Sequence, residues 1–381
     1  MSASWRLMTI RGIEIGLHWS MLIVFGLLAV SLATAYFPET SPDLSEGAAW
    51  TMAVVAAVFF FASILLHELG HSFVALRYGL PVDRITLFIF GGIAQISERA
   101  KSADVELKVA AAGPAVSFAL SAMFGLVWFV TQDIDVIAAP ALWLATLNLI
   151  LALFNLLPGF PLDGGRILRA LVWSSTGNER KAARVAMVSG QFLAFGLIGF
   201  GALLMFTGNF ANGLWLIFIG WFLQNAAVSE ATGTSVELTL RGVEVQQAMG
   251  PAESQVPGRL MIRQLINEYV LPAGERHFIV VDGDRPRGIV TLRDITQVPQ
   301  DRWDWTPIRE IMKPWSQLTC VAPDSKLLDA MKIMDEKQVR QLPVMENDEV
   351  LGLITREEVL HYIRLRMELE DGQPDERVVA Q

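Results

Sequence analysis

Long apolar segments alternate with short polar connections over the first 230 residues of the chain. A helix that crosses a bilayer needs about 20 consecutive apolar residues. Six segments of about that length stand out, at residues 17–37, 49–74, 107–130, 137–157, 184–207 and 211–228. The pattern therefore predicts a multi-span α-helical membrane domain of about six transmembrane helices over residues 1–230.

The period of the pattern changes between the second and third apolar segments. Residues 81–97 read PVDRITLFIFGGIAQIS, with β-branched and aromatic residues on both sides of Gly91 and Gly92. Such a pattern is typical of two short strands joined by a turn or bulge. We expect a short membrane-associated β-hairpin, whose edge either pairs with an extended substrate segment or only fills space.

The last third of the chain contains an internal repeat at a spacing of about 64 residues. RHFIVVD at 276–282 aligns with RQLPVME at 340–346, and GIVTLRD at 288–294 aligns with GLITREE at 352–358. A repeat of this kind indicates two copies of one supersecondary unit, here in a soluble α/β domain. The predicted boundaries are 241–303 for the first copy, 304–366 for the second, and 367–381 for an acidic, disordered tail.

Composition and charge agree with this division. Hydrophobic residues make up 52% of the chain, and the mean hydropathy is +0.41, which is too apolar for a wholly soluble protein. The net charge is −1 over residues 1–229 and −8 over residues 230–381, and this acidic soluble part argues against nucleic-acid binding. Cys320 is the single cysteine, which excludes an intramolecular disulfide and a cysteine-based zinc site.

The charges of the connecting loops predict an orientation. Loops 75–106 and 158–184 carry most of the Lys and Arg of the membrane part, whereas loops 38–48 and 131–136 carry only acidic charges. Basic loops stay on the cytoplasmic side of a membrane. We therefore predict a multi-pass protein of the cell membrane, in contact with the lipid bilayer, whose N- and C-termini are cytoplasmic.

The second apolar segment ends in the sequence His67-Glu68-Leu69-Gly70-His71. Histidines four residues apart lie on one face of a helix, which suits a shared zinc ion, and a glutamate between them can act as general base on a water molecule. Ionisable residues inside an apolar run are costly, so a functional role outweighs a chance match. The segment predicts one Zn²⁺ per chain, with Glu68 as the catalytic residue.

A second polar cluster, NLLPGFPLDGG, occupies residues 155–165 at the end of the fourth apolar segment. Its prolines and glycines break the helix, so that Asp163 can turn inwards without following a helical register. A catalytic zinc ion takes three protein ligands and keeps an open position. Asp163 is the best available carboxylate for the third ligand, with a turn-capping role as the alternative. Other acidic residues, among them Glu106 and Glu179, lie among ordinary loop charges.

HELGH and NLLPGFPLDGG together resemble the motifs of the site-2 protease family of intramembrane metalloproteases, and the resemblance covers about residues 10–230. It implies cleavage of a transmembrane protein substrate inside the membrane. Asn155, a polar residue in an apolar span, can donate a hydrogen bond to a substrate carbonyl or to the developing oxyanion. The site residues that the resemblance implies are His67, His71 and Asp163 as zinc ligands, Glu68 as catalytic acid and base, and Asn155 facing the substrate.

Two further polar features of the membrane part are open to more than one interpretation. The Gly113-Pro114 to Ser117 run resembles a third, weaker motif of that family, with serine where some members have asparagine, although helix packing alone can explain it. His18 lies at the start of the first apolar segment. We expect an interfacial histidine with polar neighbours, and the alternative is an extra ligand or a gate.

The internal repeat resembles a tandem CBS pair over residues 241–366. In that family the cleft between the copies often holds an adenine nucleotide such as ATP, and the pattern G-x-x-T-x-x-D contacts its ribose and phosphate. A pair that serves only as a dimerisation platform is the alternative, and a homodimer through the CBS pairs is expected in either case. The nucleotide contacts implied here are Thr291, Asp294, Thr355 and Glu358, the last of which departs from the family's aspartate.

These features predict an intramembrane zinc metalloprotease that cleaves near the cytoplasmic face and is controlled by adenine nucleotides at its CBS pair. A membrane-bound anti-sigma factor or another transcription regulator is a candidate substrate. An alternative of a different class is a CBS-regulated metal-ion transporter or channel, in which the same residues line an ion path. Transport does not require the glutamate between the two histidines, so this residue favours the protease. An inactive relative that sequesters membrane partners is disfavoured by the complete motif set.

Overall fold

The structure is a computed structural model, and it describes residues 4–89, 91–96, 99–251, 255–283, 285–347 and 349–371. The chain divides into two compact units, Met1–Thr234 and Ser235–Gln381. This division lies close to the change in composition near residue 230.

Within the described ranges, six helices are long and apolar enough to cross a bilayer, as the hydrophobic pattern predicts. The first is made of α1 (Ser20–Ser31), a π-helical turn (Leu32–Tyr36) and α2 (Phe37–Thr40). The helices that follow in the membrane unit are α3 (Glu46–Arg77), α4 (Ala103–Val130), α5 (Asp135–Asn155), α6 (Asp163–Thr176), α7 (Glu179–Phe206) and α8 (Phe210–Leu240). All of these except α6 complete the set of six.

Helix α6 is a correction to the predicted loop at 158–184. It has 14 residues, which is too short for a span. The prolines and glycines before it end α5 at Asn155, so Asp163 does not follow the register of that span and turns inwards as expected, as the first residue of the new helix. Gly177 ends α6 in a left-handed conformation with φ of 65°, which is a common helix stop.

The predicted hairpin is part of a larger sheet. Its strands are β1 (Ser4–Ile10), β2 (Ile13–His18), β3 (Val82–Phe88) and β4 (Gly91–Ile96), in the order β1-β2-β3-β4. The sequence predicts β3 and β4, while the N-terminal hairpin is new. The β2–β3 pairing is parallel and the other two are antiparallel. Among the described strands, β4 therefore stands at one end of the sheet.

The packing of the membrane unit suits a lipid environment. Small residues such as Ala49, Ala53 and Ala56 are buried along α3, which allows close approach of neighbouring helices. In contrast, large apolar side chains point away from the protein on other helices, including Leu126, Phe192 and Phe206. Exposed apolar surface of this extent needs a covering, and for a chain with six apolar helices the covering is the bilayer.

The second unit is built from short strands and helices. Its helices are α9 (Ile262–Leu265), α10 (Leu271–Ala273), α11 (Leu292–Thr296), α12 (Leu327–Glu336) and α13 (Arg356–Asp371). Its strands are β5 (Gly250–Pro251), β6 (Gln255–Pro257), β7 (His277–Asp282), β8 (Arg285–Thr291), β9 (Lys313–Pro314), β10 (Gln341–Glu346) and β11 (Glu349–Thr355). They form two sheets, with the orders β6-β7-β8-β9 and β10-β11-β5.

The repeat found in the sequence is present in the fold. The hairpin β7–β8 begins at His277 and the hairpin β10–β11 at Gln341, 64 residues later. Equivalent positions of the two copies fill two separate cores, with Phe278, Val280 and Val290 in one and Leu342, Val344 and Ile354 in the other. The predicted disordered tail is corrected at its start, because residues 367–371 continue α13. The rest of the tail lies outside the described residues.

Candidate metal centre

Three side chains from two helices converge on one point in the membrane unit. His67 and His71 lie one turn apart on α3, and each is 4% exposed. Asp163 begins α6, and its Oδ2 atom lies 3.1 Å from the Nε2 atom of each histidine. The two Nε2 atoms are 3.2 Å apart. Of the His, Cys, Asp and Glu side chains that the structure describes, these three form the one group dense enough to hold a metal ion.

The donor set fits zinc. Nitrogen and oxygen ligands at about 2.0–2.1 Å from a tetrahedral zinc ion lie about 3.3 Å from each other. The separations here are 3.1–3.2 Å. Three ligands of this kind leave a fourth position of the tetrahedron open, which is the arrangement of catalytic zinc sites.

Helix α4 orients both histidines from the other side. The Nδ1 atom of His71 lies 2.7 Å from the carbonyl oxygen of Val109. A carbonyl only accepts, so this nitrogen donates and Nε2 is left free to bind a metal. The Nδ1 atom of His67 lies 2.9 Å from the hydroxyl of Ser117, which is fully buried.

Gly113 lies between these two contacts and makes room for the histidines. A Cβ atom at this position would be 2.1 Å from Nε2 of His71 and 2.6 Å from Nε2 of His67. Only a residue without a side chain fits against both imidazoles. The Gly113 to Ser117 run is therefore in direct contact with the site, and helix packing is not its whole explanation.

Glu68 lies beside strand β4. A Cβ atom on Gly92 would be 2.4 Å from Cγ of Glu68 and 3.1 Å from its Oε1. The ionisable side chains near Glu68 are His71, Asp163 and Arg166. The glutamate is thus close to the metal ligands and to the backbone of the terminal strand of the sheet.

Two residues that the sequence suggested for the site, Asn155 and His18, form hydrogen bonds with neighbours in their own segments. Asn155 ends α5, and its side-chain amide donates to the carbonyl of Leu151 at 3.0 Å. Its role toward substrate stays a prediction. The Nδ1 atom of His18 lies 2.8 Å from the hydroxyl of Ser20, which matches an interfacial histidine with a polar neighbour, and His18 is outside the group of metal ligands.

The residues predicted to contact nucleotide form helix caps in the second unit. The backbone N–H of Thr291 donates to Asp294 at 3.0 Å, and the N–H of Asp294 donates back to the Thr291 hydroxyl at 3.3 Å. Thr355 and Glu358 repeat the exchange at 2.7 and 3.2 Å. Reciprocal bonds of this type stabilise the first turns of α11 and α13. Nucleotide contact by these residues stays a prediction.

Sequence reasoning missed a buried ion pair close to the site. Glu106 and Arg169 are each 2% exposed, and their side chains lie 2.8 Å apart. Glu106 is therefore not an ordinary loop charge. The signal available in the sequence was its place early in a helix that also carries Val109, Gly113 and Ser117, at spacings of three and four residues.

Comparison with known proteins agrees with this site. The family model for Peptidase family M50 matches residues 55–139 and 131–197, and the CBS domain model matches residues 308–365. Rip3 of Mycobacterium tuberculosis is 36% identical over 361 residues, which cover 93% of this chain and 91% of that protein. The protein sll0528 of Synechocystis sp. is 33% identical over 362 residues, which cover 93% and 94%. Both are named as zinc metalloproteases.

A solved structure, the site-2 protease from Methanocaldococcus jannaschii, is 32% identical over 60% of this chain and 95% of that chain, with a TM-score of 0.41. The six apolar helices and the convergent histidine and aspartate side chains define a membrane-embedded zinc metalloendopeptidase. The chain belongs to Peptidase family M50, the site-2 protease family, and carries a CBS domain at its C-terminal end.

Proposed function

We propose that this metalloprotease cleaves a transmembrane protein near the cytoplasmic face of the membrane, with one zinc ion held by His67, His71 and Asp163. The observation that carries the proposal is the convergence of these three side chains within 3.1–3.2 Å of one another. Zinc, when bound, supplies a Lewis acid that polarises the scissile carbonyl and lowers the pKa of water. Glu68 takes a proton from the attacking water and passes it to the leaving amine.

The depth of the site supports cleavage near the cytoplasmic face. Trp50 lies near the start of α3 and suits the opposite interface. From Trp50 to His67 the helix rises by about 25 Å, which is most of the thickness of the hydrocarbon core. With the orientation predicted from the loop charges, the histidines are near the cytoplasmic end of the span.

The position of strand β4 supports a way of presenting the substrate. The carbonyls of a helical substrate are engaged in its own hydrogen bonds, so the segment must unwind before attack. An extended segment can then add to the end of a sheet through backbone hydrogen bonds. Strand β4 ends the described sheet, and its Gly92 lies against Glu68. The candidate substrate is a membrane-bound anti-sigma factor or another transcription regulator.

We also propose that adenine nucleotides at the CBS pair control the protease, in a homodimer formed through these pairs. Helix α8 carries the last span and continues to Leu240, beyond the boundary between the two units. Arg99, which follows β4, donates to the hydroxyl of Thr234 on α8 at 2.6 Å. Helix α8 thus contacts Arg99, which lies three residues after the end of β4. Unchanged proteolysis over a physiological range of ATP, with binding demonstrated, would refute this control.

The test of the proposed function is the Glu68→Gln substitution in full-length protein reconstituted with a membrane substrate. We expect zinc content to remain at wild-type level, because Glu68 is not among the ligands, and cleavage to fall by at least about 10²–10⁴-fold. Glu46→Gln, an exposed acidic position on the same helix, is the matched control and should cleave normally. Cleavage at the wild-type rate by Glu68→Gln would refute the proposal.

The same preparation separates a protease from a metal-ion transporter. Zinc that stays bound through buffer exchange, without zinc flux into proteoliposomes, is the result expected of an enzyme. Zinc flux that survives Glu68→Gln, in a protein that cleaves no membrane substrate, would favour the transporter. The inactive Glu68→Gln protein also offers a means to capture the natural substrate by co-purification.

A further inference from the structure

One face of helix α4 contacts both histidines of the metal centre and also the helix that carries Asp163. Glu106, Val109, Gly113 and Ser117 follow one another at spacings of three, four and four residues, which places them on the same side of a helix. Val109 and Ser117 contact the two histidines through Nδ1, and Gly113 makes room for both rings. Glu106, at the start of this face, pairs instead with Arg169 on α6, the helix that carries the third ligand.

The contact of Glu106 is with helix α6. Its Oε2 atom accepts from Nε of Arg169 at 3.0 Å and lies 2.8 Å from Nη2 of the same guanidinium. Arg169 also lies 3.8 Å from the carboxylate of Glu179, the first residue of α7. A guanidinium held by two of its nitrogens has a defined orientation as well as a charge partner. The pair therefore joins α6 to α4.

Asp163 is on the same short helix as Arg169. Six residues separate them, so the ion pair is about 9 Å along α6 from the ligand. The first turn of α6, which carries Asp163, is also held by close packing, since Cβ atoms on Gly164 and Gly165 would lie 2.3 Å from backbone atoms of Leu156 and Gly159. Two anchors of a rigid element fix its translation and its rotation. Metal–ligand distances tolerate deviations of only about 0.2 Å, so the placement of α6 matters to the site.

Stability alone is a weak explanation for this ion pair. Both charges are removed from water, and replacing a buried pair by well-packed apolar residues is often neutral or stabilising. A pair of apolar residues would not hold the two helices in the fixed geometry that a guanidinium and a carboxylate impose. From these contacts we propose that Glu106 and Arg169 are positioning residues, whose ion pair holds α6 so that Asp163 meets the two histidines. This inference rests on the proposed zinc site.

The test measures zinc affinity of the full-length protein in detergent by competition with a chelator. Removing one partner leaves an uncompensated buried charge and endangers folding, so the main variant is the double substitution Glu106→Leu with Arg169→Met. We expect it to remain folded and to bind zinc about 10–100-fold more weakly, with a lower kcat and an unchanged KM. Arg169→Lys keeps the positive charge but loses the planar guanidinium that contacts Glu106 through two nitrogens. It should therefore also weaken zinc binding.

The matched control is the exposed ion pair of Asp104 and Lys108 on the same helix. The double substitution Asp104→Asn with Lys108→Met should leave zinc affinity unchanged. If the wild type itself fails to hold zinc, the proposed function fails and takes this inference with it. If the wild type holds zinc and the Glu106 and Arg169 variants hold it equally well, this inference alone is wrong. Loss of folding in both variants would also overturn it, since the pair would then be a general stabilising element.

Discussion

The substitution Gly113→Ala adds one methyl group at the point where both histidines approach α4. Its carbon would be 2.1 Å from Nε2 of His71 and 2.6 Å from Nε2 of His67. Non-bonded heavy atoms rest at about 3.5 Å, so the ring of His71 must move by about 1.4 Å. Neither ring can move freely, because Val109 and Ser117 hold their Nδ1 atoms.

A displacement of this size is several times the tolerance of a zinc site, which is about 0.2 Å. We therefore expect Gly113→Ala to lose more than about 100-fold in zinc affinity, which exceeds the usual effect of a residue behind the ligands and corresponds to more than about 2.8 kcal/mol. The fold should survive, since alanine is favoured over glycine in a helix by about 1 kcal/mol.

The assay is zinc content after purification, followed by chelator competition on the full-length protein. Gly125→Ala is the control on the same helix, because a methyl group there would have its nearest neighbour at 4.0 Å. It should bind zinc as the wild type does. Stoichiometric zinc with wild-type affinity in Gly113→Ala would refute the placement of this glycine against the ligands.

Three further predictions concern two residues at the metal centre and one in the second unit. Gly92→Ala should keep zinc and lower kcat, because its methyl group would lie 2.4 Å from Cγ of Glu68 and displace that side chain; loss of zinc would contradict this. Ser117→Ala removes the hydrogen-bond partner of His67 and should weaken zinc binding by about 10–100-fold, whereas an unchanged chelator titration would count against it. Burial raises the pKa of Glu358 above its usual value of 4.5. The protonated form therefore stabilises the fold fully below pH 4.5, and this contribution is lost as the pH rises through the higher pKa of the folded state. Hydrogen-exchange protection of α13 should accordingly fall over that range in the wild type and not in Glu358→Gln, and equal profiles would refute the assignment.

Periodicity and local motifs were enough to predict much of this protein. The six spans follow from apolar length alone, and the CBS repeat follows from the similarity of RHFIVVD and RQLPVME. His67 and His71 share a face because a helix has 3.6 residues per turn. Asp163 was found as a candidate because few acidic residues interrupt the apolar part of the chain. Each of these inferences depends on neighbours in sequence, where covalent geometry restricts the possibilities.

Contacts between distant segments were decided only by the tertiary structure. His67 and Asp163 are 96 residues apart, and Glu106 and Arg169 are 63 apart. The N-terminal hairpin pairs with β3 although two spans lie between them in the chain, and α6 forms where the sequence predicts a loop. The sequence by itself determined which residues can bind zinc and which segments can enter a membrane. The tertiary structure decided that one face of α4 contacts both histidines and, through Glu106, the helix that carries Asp163. Such a convergence depends on how whole helices pack.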